Sequence, residues 1–89
     1  MTERKTKDTF RSELKEMSEA APMGSFWVHI SSGKLYRVVS HCWIEATAEP
    51  SVIYADLQVF VREGDLIFPT WVRPFSEFIE KFKRVEINV

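Results

Sequence analysis

The chain has 89 residues, 45% of them apolar and 28% charged, with a formal net charge of -1, fractions close to those of an ordinary globular domain. This length supports one modest core, burying about 60–65% of the surface an extended chain exposes, and leaves little room for a buried catalytic cleft. Leu, Ile, Val and Phe total 26 residues, which excludes a wholly disordered chain, and no apolar run approaches the roughly 18 residues of a membrane span.

The opening MTERKTKD lacks the apolar segment of a secretory signal. A single cysteine, Cys42, permits no internal disulfide and fits a reducing compartment, so a cytoplasmic location is expected. Ten of the 25 charged side chains fall in the first 19 residues, five of each sign, and this segment reads as solvated. Within it Phe10, Leu14, Met17 and Ala21 follow helical spacing behind a possible Asp8 cap, and Pro22 with Gly24 ends the pattern. The spacing predicts a short amphipathic helix over residues 9–20, in a charged extension (residues 1–22) that is dispensable for folding.

From residue 23 to 89 the texture is that of strands separated by turn residues, in keeping with the excess of Val and Ile, 15, over Leu and Ala, 9. Phe26–Ile30 predicts a strand, and Gly33 can supply the positive φ of a tight turn into a second strand, Leu35–Ile44. On that second strand Tyr36, Val38, Ser40, Cys42 and Ile44 share the face expected to be more buried, opposite Leu35, Arg37, Val39, His41 and Trp43. Glu45–Ser51 reads as a loop. Val52–Val61 is the clearest core strand, with Ile53, Ala55, Leu57, Val59 and Val61 on one face. After a turn at residues 62–65, Leu66–Val72 is a shorter strand that Pro69 marks as an edge or a bulge. Pro74 suits a helix start, and Phe75, Phe78, Ile79 and Phe82 make an amphipathic turn or two expected to plug the sheet. Val85, Ile87 and Val89 alternate as a last strand. Five short strands with a helical turn before the last give a mainly β chain with the element order of a small SH3-like barrel; an OB-fold is the nearest competitor.

The residues Gly24, Trp27, His29, Gly33 and Leu35-Tyr36-Arg37-Val38, then Val52-Ile53-Tyr54, then Trp71-Val72-Arg73-Pro74 with Phe78, carry a family resemblance over residues 24–82. The stretch resembles the small bacterial and phage domain of unknown function numbered 1653. Trp27 stands where that family has Tyr, Ile30-Ser31 where it has Tyr-Lys, and one extra residue separates His29 from Tyr36. The resemblance implies an SH3-type barrel and carries no assigned activity.

His29, His41 and Cys42 are the only imidazoles and thiol. Structural zinc needs about four ligands in tight paired spacing, and alternation puts His41 and Cys42 on opposite faces, so neither metal nor other cofactor is expected. His29 is expected to hydrogen-bond within the barrel, and Cys42 to fill core. A cysteine nucleophile would need His29 or His41 as base, with Glu45 or Asp56 orienting it. No Gly-rich phosphate loop, G-x-S-x-G or paired carboxylate motif accompanies them, and the chain is not expected to be an enzyme.

Lys5, Lys7 and the run Lys81–Arg84 are interleaved with acids and read as solvated faces. Trp27, Tyr36, Trp43 and Tyr54 are available for stacking on bases, which keeps nucleic acid as the alternative partner. Trp71 and Arg73 together can form an amphipathic ledge for a peptide, a base or a partner side chain; alternatively, Arg73 satisfies carbonyls at the barrel end and stacks on Trp71. The reading is a non-catalytic binding or adaptor domain with a protein partner and no membrane contact, its binding residues drawn from Trp71, Arg73, Trp27, Trp43, His29 and Tyr36.

Overall fold

The computed structural model describes residues 5–58 and 60–87. Helix α1 (Lys7–Ala20) starts two residues before the expected position, because Thr6 and not Asp8 is its cap: the Thr6 hydroxyl accepts from the Thr9 N–H at 3.1 Å. Asp8 lies in the first turn, where a carboxylate suits the positive helix end. The helix closes where the Ala21 N–H donates to the Met17 carbonyl at 2.7 Å. Met17 and Ala21 are fully buried in the same core as the sheet, which argues against the expectation that residues 1–22 are dispensable.

Among the described residues seven strands follow, β1 (Phe26–His29), β2 (Leu35–Trp43), β3 (Pro50–Asp56), β4 (Phe60–Arg62), β5 (Asp65–Ile67), β6 (Thr70–Pro74) and β7 (Phe82–Val85), with helix α2 (Phe75–Lys81) between the last two. Five of them form one antiparallel sheet in the order β6-β3-β2-β1-β7, and β4 and β5 pair separately. The fold is mainly β. β6 and β7 occupy opposite edges of the large sheet and do not pair, so it stays open where a closed barrel was expected. α2 carries the chain from one edge to the other, packing on β3, β6 and β7.

Directly opposed residues of antiparallel strands share a face, so the register identifies the inner face. Trp27, Tyr36 and Asp56 form one row across β1, β2 and β3; Val38, Tyr54 and Trp71 form the next across β2, β3 and β6; His41, Val52 and Arg73 form the third. At the β1–β7 edge His29 opposes Phe82. On this face Trp27, Val38, Val52, Tyr54 and Phe82 close on Phe75 and Phe78 from α2 and on Met17 and Ala21. Phe78 is the centre, stacked on Phe82 at 4.4 Å between ring centroids and 4.9 Å from Trp27.

Four expectations about strands are corrected. The register slips between Val38 and Ser40. This bulge turns His41 and Trp43, rather than Ser40 and Cys42, towards the inner face, because one extra residue inverts the alternation. In the third strand the buried apolar residues are Val52 and Tyr54, not Ile53 and Ala55: both alternating sets are apolar, and the aromatic cluster around α2 decides between them. That strand begins at Pro50, inside the expected loop, and ends at Asp56, where the carboxylate accepts from the Gln58 N–H at 2.8 Å and turns the chain. Leu57 and Val61 are consequently exposed, Val61 to 73%, and Val59 lies outside the described residues. The expected strand Leu66–Val72 is split into β5 and β6 around Pro69, which has no N–H to pair.

The expected helical stripe is also cut short: Ile79 is 47% exposed and Phe82 is the first residue of β7. That strand starts three residues before the expected Val85; Asn88 and Val89 lie outside the described residues. The β1–β2 hairpin forms as the sequence predicts, with Gly33 at a φ of 74° and its N–H donating to the His29 carbonyl at 2.8 Å.

Candidate binding site

The two helices leave one end of the inner face uncovered. α1 lies over the far end, where Phe10 meets Trp43 edge-on at 5.2 Å, and α2 fills the middle with Phe78. At the open end His29, Tyr36, Tyr54, Trp71, Arg73 and Phe82 surround a pocket of about 250 Å³. Its positions come from all five strands of the sheet: His29 from β1, Tyr36 from β2, Tyr54 from β3, Trp71 and Arg73 from β6, Phe82 from β7. Alternation supplies them, since Trp71 and Arg73 are two residues apart on one strand and therefore point the same way.

The aromatic walls are set at steep angles to one another. Tyr36 meets Tyr54 at 5.3 Å and 88°, Tyr54 meets Phe82 at 5.1 Å and 65°, and the His29 ring meets Phe82 at 4.9 Å and 63°. Such edge-to-face contacts favour a fixed arrangement of the rings. Tyr54 and Phe82 are buried as the floor, whereas Trp71 is 51% exposed at the rim. The Arg73 guanidinium lies over the Phe82 ring, 5.4 Å from its centroid. On the His29 ring, Nδ1 is engaged by Ser32 Oγ at 2.9 Å and Ser31 Oγ at 3.2 Å; among the described residues Nε2 has no hydrogen-bond partner.

Electrostatically the pocket holds one fixed positive charge. Burial raises the Tyr54 hydroxyl above its ordinary pKa, and the nearby Arg73 partly offsets this. Burial also raises Tyr36, with a further upward push from the Asp56 carboxylate across the strand pair and a downward one from Arg73. Both phenols therefore remain protonated at neutral pH and can donate hydrogen bonds alongside the guanidinium.

The structure brings together four of the six residues singled out from the sequence, His29, Tyr36, Trp71 and Arg73. The other two lie elsewhere. Trp27 is buried against Phe78, its indole N–H donating to Ser25 Oγ at 2.9 Å. Trp43 fastens α1, its indole N–H donating to Glu13 at 3.1 Å, and that carboxylate is paired with Lys5 at 2.8 Å. His41 also serves α1: its Nε2 donates to the Ala21 carbonyl at 2.7 Å. Phe82 went unrecognised as a site residue because its spacing from Phe75 and Phe78 reads as a helical stripe; its one signal was the basic, strand-like run that follows it.

Among the described residues no three His, Cys, Asp or Glu side chains converge as a metal site, and no helix is long and apolar enough to cross a membrane. No protein-family model matches the chain, and comparisons with curated proteins and with solved structures return no match.

Proposed function

We propose that this chain is a non-catalytic protein-binding module of the cytoplasm, whose ligand site is the pocket bounded by His29, Tyr36, Tyr54, Trp71, Arg73 and Phe82. The observation that carries this reading is the convergence of five aromatic or imidazole rings on one guanidinium at the uncovered end of the sheet. A rigid aromatic surface with a single charged anchor is the composition of a recognition site. The pocket's own side chains include neither a carboxylate nor a thiol, and Cys42 sits on the outer face beyond the bulge, so no thiol–imidazole pair forms there and no carboxylate of the lining orients the His29 ring. Five of the six lining residues, all but Phe82, belong to the motifs that resemble the domain of unknown function numbered 1653. Further support for that kinship, and for an open form of the SH3-like arrangement, comes from the order β6-β3-β2-β1-β7 with a helix before the last strand.

Selection of random displayed peptides and of random single-stranded oligonucleotides against the full chain tests this reading. A peptide consensus is expected to enrich, and Trp71→Ala is expected to abolish the enrichment. Enrichment of oligonucleotides that persists at about 0.2 M salt, with no peptide consensus, would favour the nucleic-acid alternative. A peptide consensus indifferent to Trp71→Ala would place the site elsewhere.

A further inference from the structure

Aromatic walls of this kind attract cations, and here the chain supplies the cation itself. Arg73 already lies over Phe82, so a ligand ammonium entering the pocket would meet a like charge, while the guanidinium's remaining N–H groups can take an acceptor. The Tyr36 and Tyr54 hydroxyls add donors around the same space, as does His29 Nε2 in the tautomer whose Nδ1 accepts from the Ser31 and Ser32 hydroxyls. A single guanidinium with protonated phenols balances one negative charge. A phosphate dianion would carry a second, with Asp56 standing opposite Tyr36 on the neighbouring strand.

Size narrows the ligand further. About 250 Å³ is several times the roughly 30 Å³ that a water molecule occupies in the liquid, and so exceeds what a bare carboxylate fills. It lies below the roughly 300–1,000 Å³ of pockets that enclose drug-sized ligands, so a ligand as large as a nucleotide would extend beyond its walls. One carboxylate with one flat apolar group attached matches both limits, the group lying against Trp71 and Tyr36. β6, which carries Trp71 and Arg73, is a sheet edge paired on one side only, so an extended peptide can approach alongside the pocket.

We infer that the pocket takes the C-terminal carboxylate of a protein chain ending in an aromatic residue, with Arg73 as its anchor and Trp71 as the ledge for the terminal side chain. This rests on the pocket being the ligand site, and the test separates the two claims.

Amide and indole NMR spectra of the full chain, titrated with N-acetyl-L-phenylalanine and with N-acetyl-L-phenylalaninamide, read it directly, with tetramethylammonium and inorganic phosphate as further probes. The acid is expected to shift the Trp71 indole and Arg73 side-chain signals saturably. The amide should bind at least about tenfold more weakly, the loss expected for one charge-assisted hydrogen bond. Equal binding of acid and amide, or preference for tetramethylammonium or phosphate, would overturn the carboxylate assignment while leaving the pocket a binding site. Failure of all four probes to move any pocket signal would overturn the inference and count against the pocket itself. The acid-to-amide comparison uses the unaltered protein and so does not depend on any variant folding.

Discussion

Phe78 shows how much of this small core one side chain holds. It is fully buried, stacked on Phe82 and in contact with Trp27 and Tyr54, so its removal leaves a cavity that three rings cannot close without losing their mutual geometry. Phe78→Ala is expected to cost about 3–5 kcal/mol, seen as a fall in melting temperature of more than about 10 °C in a chain of this length. An unchanged melting temperature would show that α2 does not close the core. The tyrosines set a pH dependence. Burial raises the pKa of Tyr36 and of Tyr54, so the folded state favours their neutral forms. Their contribution is complete below the ordinary value near 10 and is lost as pH rises beyond it, because the unfolded chain releases these protons first. Urea melts between about pH 9 and 11 should therefore show stability falling with pH, less steeply in Tyr36→Phe; a flat profile in the parent chain would contradict this.

At the scale of elements, α1 is the part whose role changes most between sequence and structure. Its stripe of Phe10, Leu14 and Met17 is narrow and its charges are balanced for water, which reads as a dispensable extension. The contacts that make it integral are tertiary: Met17 and Ala21 enter the core, Phe10 packs on Trp43, and Lys5 and Glu13 tie the helix to the β2–β3 end of the sheet, Lys5 also donating to the Ala48 carbonyl. Deleting residues 1–22 is expected to collapse the dispersed amide NMR spectrum, and a native-like spectrum from the shortened chain would contradict that role. The β1–β2 hairpin was legible because local chemistry decides it at Gly33, whereas Pro74, expected as the first residue of α2, ends β6 one residue before that helix. The bulge at residue 39 was not legible, since an inserted residue leaves the apolar alternation of the sequence intact. Nor was the break after Asp56. Val61 and Leu66 continue an apolar pattern that belongs to no buried face, and both stand exposed on the β4–β5 hairpin, Leu66 to 67%.

For the whole molecule, the division of the inner face explains why a site exists at all. One sheet face must serve as core in a chain this short. Two helices cover that face at Trp43 and at Phe78, and the remaining end keeps its aromatic residues at the surface. Trp71 and Arg73 were legible as candidates because an indole and a guanidinium two residues apart on a strand can form one ledge, Tyr36 as an aromatic able to stack, and His29 through the family resemblance; that the four meet, and that Trp27 and Trp43 do not join them, follows from the strand order and the bulge. The sharpest test of the pocket as ligand site is a titration of Arg73→Lys with the peptide selected against the parent chain, run alongside its thermal melt. Lysine keeps the charge and loses the planar fork. The dissociation constant is expected to rise by about tenfold or more while the melting temperature changes by less than about 4 °C, the equivalent of under 1 kcal/mol. An unchanged dissociation constant together with a large loss of melting temperature would make Arg73 a structural residue and contradict the assignment.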